Sequence, residues 1–103
     1  MNIQITTKNL DLTPAFKTFI EEKIGGLDRY LKKHKTIEAH VEVSKPSRHH
    51  RSGPIYYAEV NLTIDGQLIR AEAKNYEMRA AITDVKDELK VLIGKFKDKV
   101  SKR

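Results

Sequence analysis

Apolar residues recur along this chain with two different periods, and the switches between them divide it into six elements. Ile3 and Ile5 alternate with Asn2, Gln4 and Thr6, which predicts a first strand over about Asn2–Thr7. Leu12-Thr13-Pro14 then opens a helix. The Thr13 hydroxyl can accept from free backbone N–H groups, and Pro14 has no N–H to leave unpaired at the first helical position. Phe16, Ile20, Ile24, Leu27 and Leu31 follow at helical spacing to about Lys32, flanked by Phe19, Lys23 and Tyr30. Gly25-Gly26 costs roughly 1 kcal/mol per glycine relative to alanine. Leu27 and Leu31 nevertheless stay in phase beyond it, so a continuous helix is expected.

From Ile37 to Ser44 the period becomes two: Ile37, Ala39, Val41 and Val43 face one way, Glu38, His40, Glu42 and Ser44 the other. A basic loop from Lys45 to Pro54 leads to a third strand, in which Tyr56, Ala58, Val60, Leu62 and Ile64 oppose Tyr57, Glu59, Asn61 and Thr63. Asp65-Gly66 marks a two-residue hairpin, because a type I′ turn needs two residues that tolerate positive φ. That turn predicts a register: Ile64 with Gln67, Leu62 with Ile69, Val60 with Ala71 and Ala58 with Ala73. On the other face it sets Asn61 against Arg70 and Tyr57 against Lys74. Glu59 opposite Glu72 is unfavourable unless Arg70 or Lys74 reaches across diagonally.

Most of the stretch from Asn75 to Arg103 reads as one long amphipathic helix. Met78, Ala81, Ile82, Val85, Leu89, Leu92, Ile93, Phe96 and Val100 line one face, and Ser101–Arg103 are expected to fray. Arg79, Lys86, Lys90 and Lys97 project within a sector about 40° wide beside that face. Glu77, Asp84, Asp87, Glu88 and Asp98 project elsewhere. The order β-α-β-β-β-α makes the first helix a crossover between parallel strands, right-handed by the usual rule, followed by an antiparallel meander. Since the outer phase of each strand is polar, both helices are expected to cover the other face. The fold class is α/β (α+β): a two-layer sandwich with a four-stranded mixed sheet and two helices on one face.

Composition narrows the function. A chain of 103 residues suits one domain. It contains no cysteine, which excludes disulfides, thiolate metal sites and a cysteine nucleophile. No secretory leader is visible before the first strand, and no apolar run reaches the ~20 residues that span a bilayer, so a cytoplasmic, non-membrane protein is expected. The formal charge of +6 is concentrated. Residues 29–51 hold seven Lys/Arg against two acids, and residues 86–103 hold seven against three, which points to a polyanionic partner. Glycine-rich phosphate loops, a Ser-His-Asp order and histidine pairs at metal spacing are all missing from the sequence, so neither an enzyme nor a cofactor is expected.

Read together, Asn9 with Leu12-Thr13-Pro14-Ala15, then Lys23, Leu27, Arg29 and Tyr30, Asp65-Gly66, Met78, Ala80-Ala81-Ile82, Leu89 and Lys95-Phe96-Lys97 resemble one family over nearly the whole chain. It is the ribosome hibernation-promoting factor and ribosome-associated inhibitor family, also called the sigma-54 modulation protein family. The resemblance implies a fold similar to a double-stranded RNA-binding domain. It also implies binding to the small ribosomal subunit (rRNA and ribosomal proteins) between head and body, where mRNA and tRNA sit, so that translation stops and idle ribosomes are preserved in stationary phase or stress. A ribosome modulation factor is a further implied partner, and the protein itself is expected to be a monomer off the ribosome. With neither a long dimerisation extension nor an acidic tail, the chain resembles the short form, a single ribosome-binding domain that favours paired, inactive ribosomes. It departs from the family where the second helix opens Glu77-Met78-Arg79 rather than with an aromatic third residue, and where Gly26, Glu88 and Val91 replace basic residues.

The candidate RNA-binding residues are Lys23, Arg29, Arg48, Arg51, Arg70, Lys74, Arg79, Lys86, Lys90 and Lys97. A solvated helix flank would also account for the stripe, snorkelling for Lys23, and plain flexibility for the loop carrying Arg48 and Arg51. His49-His50 lack a nearby carboxylate to complete a metal site. His34 at the helix end suits the dipole there, and His40 reads as a surface strand residue. Tyr57, with Arg70 and Lys74, could stack on a base or simply pack across strands. The acids Glu38, Glu42, Glu59 and Glu72 on the same face would repel phosphates. The alternative functions are a general RNA-binding module and a protein-interaction module modulating a transcription factor.

Overall fold

A four-stranded sheet carries two helices on one face in the computed structural model, which describes residues 1–35, 37–45 and 55–101. The elements are β1 (Asn2–Lys8), α1 (Pro14–Gly25), a 3₁₀ segment (Gly26–Tyr30), β2 (Ile37–Ser44), β3 (Tyr56–Ile64), β4 (Gln67–Asn75) and α2 (Met78–Ser101). Spatial order equals chain order, with β1 parallel to β2 and antiparallel pairing thereafter.

The hairpin register is the one that the Asp65-Gly66 turn demands, from Ile64 opposite Gln67 to Tyr57 opposite Lys74. Asp65 (φ 49°) and Gly66 (φ 87°) both adopt positive φ there, as a type I′ turn requires. A third positive-φ residue, Asn9 (φ 62°), turns the chain out of β1, a conformation that asparagine tolerates well. Arg70 resolves the carboxylate pair across β3 and β4. Its Nη2 lies 2.6 Å from Glu72 and 3.3 Å from Glu59, and the Asn61 amide donates to Glu59 at 3.0 Å.

The core lies between sheet and helices. Ala39, Val41, Val43, Ala58, Val60, Leu62, Ile64 and Ala71 meet Phe16, Ile20 and Ile24 of α1 and Ala81, Ile82, Val85, Leu89 and Ile93 of α2. Among the described residues no polar or charged side chain is buried, so hydrophobic burial alone orients the layers. Thr13 caps α1 by accepting from the Phe16 N–H at 3.1 Å, and Pro14 occupies the first turn.

Two boundaries differ from the sequence expectation. The first helix is not continuous to Lys32: α-helical winding stops at Gly25 and the chain tightens into the 3₁₀ segment. Two consecutive glycines remove the side-chain packing that favours the wider helix, and the Gly26 N–H is shared between the Glu22 and Ile24 carbonyls. Leu27 and Leu31 are buried all the same, which is why they seemed in phase. At the other end Ser101 is still helical, its hydroxyl donating to the Asp98 carbonyl at 3.1 Å.

Candidate nucleic-acid interface

The flank where α2 runs beside α1 and the 3₁₀ segment gathers cations around two aromatic rings. At one end Phe19 of α1 has the Lys23 ammonium 5.6 Å from its centroid and the Arg79 guanidinium of α2 at 5.4 Å. Further along, Tyr30 has Arg29 at 5.3 Å and Lys90 of α2 at 5.4 Å. The ring quadrupole attracts a cation held over its face, so each aromatic draws one charge from α2 to one from the first helical region. Charges that would otherwise repel and splay are thereby drawn to a common flank.

The seam ends in a concavity of about 300 Å³ lined by Arg29, Tyr30, Lys32, Lys33, His34 and Lys97. Rather than standing free at a helix terminus, His34 is held on two sides. Its Nδ1 lies 2.8 Å from the Asp65 carboxylate and its ring lies 5.4 Å from that of Phe96. Asp65 also accepts from the Lys35 N–H at 3.0 Å, tying the hairpin turn to the segment after Tyr30. From Arg79 to Lys97 the seam extends over about 27 Å at 1.5 Å per helical residue.

The ten candidate residues therefore divide. Lys23 and Arg79 meet at Phe19, Arg29 and Lys90 at Tyr30, and Arg29 and Lys97 in the concavity. Lys86 shares their flank by its helical angle, but its ammonium lies 2.9 Å from Asp87. Arg70 and Lys74 stand on the opposite, helix-free sheet face, where Arg70 is engaged by two carboxylates and Tyr57 is 40% exposed. Lys8 pairs with Glu42 there at 3.2 Å. Arg48 and Arg51 lie outside the described residues, as do His49 and His50. His40 is exposed in β2.

Lys32, Lys33 and His34 were missed as members of this surface, although the first two contribute to the basic run after residue 29. The signal that could have found part of the rest was the Phe19/Lys23 spacing of four, which puts a cation beside a ring on one helix face. Arg29 and Tyr30 are adjacent in sequence, and helical geometry alone does not turn neighbours toward each other. No group of three His, Cys, Asp or Glu residues is placed to hold a metal ion among the described residues. Likewise no described helix is long and apolar enough to cross a membrane.

This architecture recurs in solved structures. The crystal structure of the Thermus thermophilus Protein Y N-terminal domain superposes with a TM-score of 0.78 at 29% identity, covering 93% of this chain and 99% of that one. A ribosomal subunit interface protein from Coxiella burnetii shares the fold at a TM-score of 0.71 and 20% identity, covering 95% of this chain and 99% of the other. Among curated proteins, the ribosome hibernation promotion factor of Bacillus subtilis is 31% identical over 103 residues, which is all of this chain and 52% of that protein. Its counterpart from Deinococcus radiodurans is 30% identical over 97% of this chain and 51% of its own length. The chain thus spans about half the length of the curated relatives it matches. The family model for the sigma 54 modulation protein / S30EA ribosomal protein matches residues 3–101, and the chain belongs to that family.

Proposed function

We propose that this chain is a ribosome hibernation factor that binds the small ribosomal subunit in the channel used by mRNA and tRNA. Occupying that channel would stop translation and favour paired, inactive ribosomes in stationary phase or stress. The observation that carries the reading is the seam itself: Lys23, Arg79, Arg29, Lys90 and Lys97 converge on one flank from separate elements, around Phe19 and Tyr30. The names of the curated relatives supply the ribosome as the place to look.

The seam also favours a mode of recognition. Both of its rings carry the protein's own cations, so neither is left bare as a platform for unpaired bases. Cations spread along about 27 Å of helix suit a phosphate backbone read by charge and shape. Arg70 and Lys74, on the far side of the sheet among Glu59 and Glu72, fall outside this contact surface, and so does Tyr57. The chain acts here as a single ribosome-binding domain in the cytoplasm, as a binding protein without a chemical step.

Purified protein incubated with separated subunits at low salt should pellet with the small subunit and block subsequent binding of tRNA or mRNA. Pelleting without any block would remove the channel from the account. Competition by bulk duplex RNA as effective as that by ribosomal RNA would reduce the protein to a general RNA binder.

A further inference from the structure

The concavity at the end of the seam differs from the rest of it. Along the seam the cations lie over rings, whereas here Arg29, itself held over Tyr30, joins Lys32, Lys33 and Lys97 around a recess of about 300 Å³. That volume is at the small end of ligand sites and leaves ample room for a phosphate-sized group. A concave wall with one sign of charge focuses the field into it.

The recess is also braced. Lys32 and Lys33 lie between Tyr30 and His34, and His34 is fixed by the Asp65 carboxylate at 2.8 Å and by Phe96 of α2 at 5.4 Å. The Lys35 N–H bond to Asp65, at 3.0 Å, fixes the residue beyond. Both ends of the Lys32-Lys33 pair are therefore tied to the body of the fold, so less ordering cost remains when an anion arrives. Asp65, the acid bound to His34, belongs to the hairpin turn and accepts from the Lys35 N–H as well.

We propose that this recess binds a diphosphate group. Each phosphate group carries about −1.5 to −2 charges near neutral pH, so two linked phosphates approach the four positive charges around the recess. Arg29 supplies a planar fork for two oxygens of one phosphate, and the lysines supply point charges for the rest. The same chemistry occurs in a free nucleoside diphosphate or triphosphate and in inorganic pyrophosphate. Occupancy by such a free ligand would compete for Arg29 and Lys97 with the RNA of the proposed function, and this competitive consequence alone rests on that reading.

The test is a titration of the isotopically labelled chain, followed by amide NMR shifts, with pyrophosphate, ADP, and sulfate at matched ionic strength. Pyrophosphate and ADP should give saturable shifts confined to residues around the recess, at least about tenfold tighter than sulfate. Exchanging both Lys32→Gln and Lys33→Gln should weaken pyrophosphate about tenfold or more, while Lys8→Gln on the other sheet face changes nothing. Equal response to sulfate, shifts spread along the whole seam, or an unaffected double variant would overturn the site. Ribosome pelleting of the same double variant separates the two ideas. Lost pyrophosphate binding by that variant is this site's own readout, whereas a native chain that binds pyrophosphate but ignores ribosomes would overturn only the ribosomal reading.

Discussion

Salt sensitivity, read one side chain at a time, is a quantitative consequence of the seam. Lys23, Arg29, Arg79, Lys86, Lys90 and Lys97 lie on the helical flank, each able to displace a counterion from a phosphate. Neutralising about six phosphates gives a slope of log affinity against log salt of about −4 to −5. Changing Lys90 to Gln removes one contact and should flatten the slope by about 0.7 to 0.9; Arg79→Gln should do the same. Arg70→Gln should leave the slope unchanged, because that guanidinium lies on the opposite sheet face between Glu59 and Glu72. Lys86→Gln should change it less than Lys90→Gln, since the Lys86 ammonium already has Asp87 at 2.9 Å.

The assay is fluorescence anisotropy with a labelled small-subunit rRNA fragment between about 50 and 200 mM salt. Thermal denaturation guards against a folding artefact, because loss of the Lys90–Tyr30 contact costs only about 0.5–1 kcal/mol at an exposed site. Equal flattening by Arg70→Gln and Lys90→Gln would refute the reasoning, since only non-specific charge would then matter.

The other predictions concern the frame that holds the seam. Gly26 and Gly94 are helical, and an added Cβ at either meets nothing within 4 Å. Alanine at each should therefore stabilise by about 0.4–1 kcal/mol in denaturant titrations, whereas Gly66→Ala, at φ 87°, should destabilise. Equal effects at all three positions would contradict the turn geometry. Leu89→Ala, in the middle of the core, should cost about 2–5 kcal/mol; a smaller loss would mean that α2 is not packed on the sheet as described. Thr13→Ala should cost about 0.5–2 kcal/mol by removing the acceptor for the Phe16 N–H, and Thr13→Asn should restore most of it.

The topology was legible because its determinants are local. Alternation in Ile37–Ser44 and Tyr56–Ile64 assigns faces, and Asp65-Gly66 sets a register whose one-residue slip would expose every apolar strand residue. The shared flank of Arg79, Lys86, Lys90 and Lys97 follows likewise from helical geometry. What stayed hidden depends on packing between elements. Leu27 and Leu31 are equally buried after a 3₁₀ segment as they would be on a continuous helix, so their spacing could not reveal the change at Gly26. The meeting of Arg79 with Phe19 and of Lys90 with Tyr30 depends on how closely the two helical layers approach, which periodicity does not encode. The bracing of His34 by Asp65 joins residues 31 positions apart and has no local signature.

The most direct test of the central claim is a sedimentation experiment with purified small ribosomal subunits, comparing the native chain with a variant carrying Lys86→Glu and Lys90→Glu. The native chain should pellet with the subunits and the variant should remain in the supernatant, while Arg70→Glu pellets like the native chain. A folded Lys86→Glu, Lys90→Glu variant that still pellets would contradict the helical seam as the ribosome-binding surface.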